Sequence, residues 1–204
     1  MIFELLGYTG AILFLVGDAH YIHDTITGST RPHRISMGIF LAMNAIDLAN
    51  QFASGATHSL WLFVASFITT AIVFVIALKK GSGGTERLDW IVLAGGVLGL
   101  VLWAWLRTPL ASIVCNFVVT TIAMIPIFKK SYLDPASEAP YAWLLCGLGS
   151  VVATVSVGQW SPQLLLLPAH AALVELAVWV IVVWRRRSVP ARGSATSDPH
   201  LNLV

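Results

Sequence analysis

Residues Leu60–Lys80 read LWLFVASFITTAIVFVIALKK, nineteen residues without a charge closed by two lysines. As a helix, nineteen residues rise roughly 28 Å, close to the ~30 Å of bilayer hydrocarbon. The same pairing of an apolar run with a basic gap recurs on both sides of this stretch. Apolar runs occupy Ile2 to Tyr21, Ser36 to Ala53, Leu60 to Leu78, Asp89 to Leu106, Leu110 to Phe128, Tyr141 to Val157 and Leu164 to Trp184. The Lys and Arg residues fall in alternate gaps: Arg31 and Arg34; Lys79, Lys80 and Arg87; Lys129 and Lys130; then Arg185, Arg186, Arg187 and Arg192. Only Arg107, of the twelve, lies in a gap of the other set. Short cytoplasmic loops retain Lys and Arg, so the pattern predicts an all-α protein of seven transmembrane helices, N-terminus out and C-terminus in.

Composition agrees. With 57% hydrophobic residues, 11% charged residues and a mean hydropathy of +0.80, the apolar surface exceeds what one small core could hide, which excludes an ordinary soluble domain. Seven spans consume nearly all of the 204 residues, so function is expected inside the bundle. The net charge of +2 sits in loops with a topological role, which argues against a nucleic-acid surface. Lipid is the expected environment and Arg185 to Arg187 the membrane-edge anchor. Cys115 and Cys146 lie within apolar runs and lack CxxC spacing, so neither a disulfide framework nor a thiolate metal site is expected. No Lys or Arg precedes the first run, and Asp18, His20 and His23 stand where a small-residue cleavage site would follow; it is expected to be a retained helix.

The punctuation also suggests a duplication. Runs one to three and five to seven share one pattern: helix, polar basic-side loop, helix, short loop, helix. At an offset of 106 residues, Tyr21-Ile22-His23-Asp24 lies over Ile127-Phe128-Lys129-Lys130, and Gly28-Ser29-Thr30 lies over Asp134-Pro135-Ala136. Residue identity is almost absent, so the evidence is segment length and loop polarity. The expected units are residues 1–78, a joining helix with its cytoplasmic loop at 79–106, residues 107–187, and a disordered cytoplasmic tail at 188–204. An odd joining helix gives both units the same orientation, the parallel-repeat arrangement.

In this organisation the chain resembles the PQ-loop and SWEET superfamily of small membrane transporters, over about residues 1 to 187. Where that family carries Pro-Gln near the end of the first helix of each repeat, this chain has His20-Tyr21 and Pro126-Ile127. The resemblance implies a 3+1+3 bundle in a cell (inner) membrane, with a substrate path between the units.

Polar residues within the runs supply the candidate site. Asn44, Asp47 and Gln51 fall within an arc of about 60° on one helix face. An Asp at mid-span costs about 2.5–3.5 kcal/mol on insertion scales, so it should face protein or water. The bland alternative is an interhelical cluster that only joins helices, worth about 1 kcal/mol or less. Asn116 in the fifth run, and His170 with Glu175 in the seventh, complete the expected substrate-binding set; a second buried acid facing Asp47 would suit proton coupling. His170 and Glu175 are about 140° apart and are not expected to bond each other, while Pro168 offers a kink beside His170. Ser150, Thr154 and Thr120 are expected to bond their own helices. Trp103, Trp105, Trp143, Trp160 and Trp184 read as interfacial anchors.

Gly95 and Gly99 stand in GxxxG spacing, a face for close helix packing within the chain or a seam for a homo-oligomer. Asp18, His20, His23 and Asp24 have the side chains of a metal site, yet their position at a helix end explains them without one. No run contains lysine, which excludes a retinal Schiff base, and no paired-histidine signature supports an intramembrane zinc hydrolase. No nucleophile, base and orienting group assemble, so neither an enzyme nor a cofactor is expected. The expectation is a carrier of a small polar solute working by alternating access, with protons as candidate coupling ions. Its rival is a seven-helix receptor or scaffold that binds without translocating.

Overall fold

The computed structural model describes residues 2–53, 55–84, 86–106, 109–158 and 160–188, without the side chains of 103, 106, 109–112 and 163. Arg107 and the expected tail, apart from Ser188, which ends a helix, lie outside the described residues. Seven helices form: α1 (Ile2–Thr27), α2 (Arg34–Ala53), α3 (Leu60–Lys80), α4 (Arg87–Leu106), α5 (Pro109–Leu133), α6 (Pro140–Ser156) and α7 (Pro162–Ser188), with a 3-10 turn at Pro135–Ser137. The described residues contain no strand. Four helices, Ile2–Thr27, Leu60–Lys80, Ile113–Leu133 and Leu164–Ser188, are long and apolar enough to cross a membrane, and α6 is apolar but shorter. Large apolar residues stand on the outside, Ile68, Val75, Val101 and Leu173 among them, which is compatible with a membrane protein.

Each apolar run is a helix, and several helices continue past the run. α1 extends to Thr27 through Thr25, whose hydroxyl donates to the Tyr21 carbonyl; Gly28, with φ +84°, then turns the chain in a left-handed conformation that favours glycine. Proline opens α5, α6 and α7, where its missing N–H would have had no partner.

Packing follows a regular scheme. α3 lies against both α1 and α2, and α7 lies against both α5 and α6. Between these groups α1 packs on α6 and α2 on α5, while α4 packs on α5 and α2 only. The α1–α6 seam is backbone against backbone. A Cβ added at Gly149 would fall 2.7 Å from the Gly10 carbonyl oxygen, and one at Gly17 would fall 2.9 Å from the Ala142 oxygen. These registers run in opposite senses, so α1 and α6 are antiparallel. Gly99 of α4 faces Val119 of α5 at a distance that leaves no room for a Cβ, and Gly95 faces Ile122, so this small-residue face is occupied within the chain.

The basic residues gather at one end of the bundle and tie its connections together. Lys80 donates to the Ile26 carbonyl, and Lys130 donates to the carbonyls of Arg31 and Ser137 and pairs with Glu138 at 2.7 Å. Arg34 donates to the Ala77 carbonyl, and Arg186 to the carbonyls of Pro135 and Glu138. At the same end His33 is clamped between Ser36 and Asp89. Its Nδ1 lies 2.9 Å from Ser36 Oγ and 3.3 Å from the Ser36 backbone nitrogen, and its Nε2 lies 2.8 Å from Asp89 Oδ1. Burial holds this imidazole below its ordinary pKa and outweighs the opposing pull of Asp89.

Candidate functional site

A cavity of about 160 Å³ lies in the middle of the bundle, lined by residues from α1, α2, α3, α5, α6 and α7; no described residue of α4 reaches it. An engineered cavity of roughly 150 Å³ holds benzene, so this one admits a molecule of about six to ten non-hydrogen atoms. Its wall is mostly apolar, which leaves each polar group on it conspicuous.

Five of the six expected residues line it: Asn44, Asp47, Asn116, His170 and Glu175. Asp47 is 6% exposed, and its Oδ1 accepts from Asn116 Nδ2 at 2.6 Å, which joins α2 to α5. Asn44 donates to Thr70 Oγ1 on α3 at 2.9 Å. Glu175 lies thirteen residues from either end of α7, about 20 Å from both by helix rise. Its Oε2 accepts from Ser150 Oγ at 2.7 Å, so Ser150 reaches across to α7 instead of bonding its own helix as expected. Thr154 and Thr120 do bond their own backbones, at the Ser150 and Asn116 carbonyls. His170 and Glu175 have separate partners: His170 Nε2 is 3.0 Å from Thr121 Oγ1, whose own proton goes to the Phe117 carbonyl, so the imidazole donates there. Pro168 is buried one turn before Ala172 in a continuous α7.

Gln51 is the sixth, and it does not line the cavity. It is 1% exposed, one turn beyond Asp47, and neither atom of its amide has a hydrogen-bond partner among the described residues. The cavity ends before it because Phe63, Leu167 and Ile113, with Leu48 against them, pack across that side.

Two lining residues were assigned elsewhere from sequence. Asp18, grouped with His20, His23 and Asp24, turns inward alone: its Oδ2 accepts from Thr69 Oγ1 and its Oδ1 lies 3.5 Å from Cys146 Sγ. His20 and His23 instead stay outside and face Asp24 at 3.6 and 3.3 Å. The signal for Asp18 is its spacing from Phe14 and Tyr21, which puts all three on one helix face. Trp143, grouped with the interfacial anchors, also lines the cavity. Its indole donates to Glu138 Oε2 at 3.0 Å and its ring meets Tyr21 edge-on at 5.8 Å. Trp105, Trp160 and Trp184 are exposed, and the Trp103 side chain lies outside the described residues.

The site therefore combines three carboxylates on three helices, two amides, one imidazole and several hydroxyls, and no described lining residue is Lys or Arg. Such a wall can bind a small polar molecule by hydrogen bonds and charge and can exchange protons. Comparisons with family models, with curated proteins and with solved structures give no match.

Proposed function

We propose that this chain is a carrier that moves a small polar solute across a cell (inner) membrane by alternating access, with two three-helix units, α1–α3 and α5–α7, working against each other and α4 joining them. The observation that carries this reading is the central cavity, whose wall draws on every helix of both groups and on none of the described residues of α4. Carriers built from parallel repeats bind at the interface between repeats, near mid-membrane. The packing scheme supports the same division: α3 and α7 are each flanked by the other two helices of their group, and α1 on α6 mirrors α5 on α2. At the 106-residue offset Asn44 overlies Ser150, and both join the second helix of a group to the third, through Thr70 and Glu175.

In this reading Asp47 is the binding or coupling acid, with Asn44 and Asn116 beside it and His170 and Glu175 opposite. Protons are the candidate coupling ions. Gln51, without a partner in this arrangement, is placed to gain one when the outer side of the cavity opens. The Tyr21–Trp143 pair closes the opposite side, held by Glu138 and Lys130.

Uptake by purified protein in sealed vesicles tests transport. Accumulation of a solute against its gradient supports it; ligand binding without accumulation favours a seven-helix receptor or scaffold. Reporter fusions test the orientation: a fusion after Arg187 is expected in the cytoplasm and one within residues 54–58 outside, and a cytoplasmic signal at the second site overturns the seven-span division.

A further inference from the structure

We infer that the occupant of the cavity is a small organic ammonium ion. This rests on the cavity being a substrate site and adds its chemical class. Three features of the wall point there together. First, Asp18, Asp47 and Glu175 all reach it, and no described Lys or Arg does, so no permanent cation on the described wall faces these acids. The donors they meet, Thr69, Asn116 and Ser150, are neutral, and among the described residues each of Asp47 and Glu175 meets a side-chain donor through one oxygen only. A carboxylate oxygen removed from water needs a donor, and a cationic donor serves it best.

Second, the rest of the wall is aromatic and aliphatic: Phe14, Tyr21, Phe40, Phe63 and Trp143 all line it. Aromatic faces attract cations through the ring quadrupole and recognise substituted ammonium groups in particular. They also match hydrocarbon on the same ligand. A hydrated inorganic ion would gain nothing from them, and among the described residues no three His, Cys, Asp or Glu side chains converge as a metal site requires. An anion would meet three acids and no described Lys or Arg. A neutral sugar would have use for the amides and the rings but would offer the acids no cationic donor.

Third, size sets a limit. A volume of about 160 Å³ suits a ligand of the size of choline or putrescine.

The test measures binding directly, by thermal stability and isothermal titration of the purified full chain in detergent. The probes are choline with its uncharged isostere 3,3-dimethylbutan-1-ol, putrescine with 1,4-butanediol, and glucose and succinate. Choline or putrescine is expected to bind and its isostere is not. Asp47→Asn and Glu175→Gln, which keep the shape of the acids, should each weaken binding on the order of ten- to a hundredfold. Glu86→Gln, at an exposed pair with Lys129 far from the cavity, should leave it unchanged. Equal binding of ammonium and isostere, binding of glucose or succinate alone, or no binding of either ammonium compound overturns the inference. The two readings fail separately: ammonium binding without accumulation in vesicles removes transport and keeps the ligand class, whereas glucose accumulation without ammonium binding removes the class and keeps transport.

Discussion

Replacing Gly149 by alanine isolates how closely α1 and α6 pack. The added Cβ would stand 2.7 Å from the Gly10 carbonyl oxygen and 2.9 Å from the Phe14 nitrogen. Carbon and oxygen settle at about 3.3–3.6 Å, so the helices must part by roughly 0.6–0.9 Å. Both obstructing atoms are backbone, and no side-chain rotation relieves them. A gap of that width forfeits a quarter to a half of each dispersion contact along the seam, and overpacking of this kind costs about 1–3 kcal/mol. At about 2–4 °C per kcal/mol for a chain of this size, Gly149→Ala should melt several degrees below the wild type. Gly95→Ala on α4 is the control, because its Cβ would meet Ile122 Cγ2 at an ordinary 3.6 Å. That substitution should be neutral or stabilising by up to about 1 kcal/mol, from helix propensity alone. Thermal unfolding of both variants in one detergent, with size-exclusion profiles beforehand, provides the comparison. If Gly149→Ala melts with the wild type while monodisperse, the seam is not backbone against backbone.

Asp47→Asn should insert and stay monodisperse yet lose pH-dependent uptake or ligand binding, because the amide keeps the shape but cannot exchange a proton; unchanged activity makes Asp47 a packing residue. Gln51→Leu removes a buried amide without a hydrogen-bond partner and should raise stability by about 1–3 kcal/mol in unfolding assays, while lowering uptake if the amide is used in another conformation. His33 is held below its ordinary pKa of 6.5, so the unfolded chain takes up its proton first: stability should be full above about pH 6.5 and decline as pH falls below it. A melting-temperature profile against pH should show this slope, reduced in His33→Gln.

The seven helices of the described residues were legible because their apolar runs are long and the ends of most are marked by charge. Leu60–Lys80 needs no tertiary information to be read as a helix. Helix ends were less legible where a polar segment stayed helical: α1 runs on through His20, His23 and Asp24, since their side chains reach water or each other without breaking the backbone ladder. The site was legible to the extent that burying polarity in a membrane requires a protein partner, which found Asp47, Asn116 and Glu175. Asp18 was missed because it was weighed by its nearness to the end of the run and not by the face it shares with Phe14 and Tyr21. Gln51 shares a face with Asp47, but helical periodicity says nothing of how far along a helix a cavity extends. Here the Phe63 and Leu167 packing, set by α3 and α7, ends it first.

α4 touches α2 and α5 and contributes no described residue to the cavity. In the proposed two-unit arrangement α4 is the linker, and a short linker holds the segments on either side of it at an effective concentration of about millimolar, so the α1–α6 and α2–α5 seams would not need to be strong enough to recruit separate partners. They are also released from having to be alike. One seam is closed by Gly10, Gly17 and Gly149, while the other carries Asp47 on Asn116 and the Ser36 hydroxyl on the Ala123 carbonyl. A chamber between two identical copies would repeat every acid about its axis. A tethered pair, as proposed here, would escape that constraint: Glu175 overlies Thr69 at the 106-residue offset, Asp47 overlies Ala153 and Asp18 overlies Met124, so none of these three acids has an acidic counterpart. A chamber so lopsided can tell the two ends of a molecule apart.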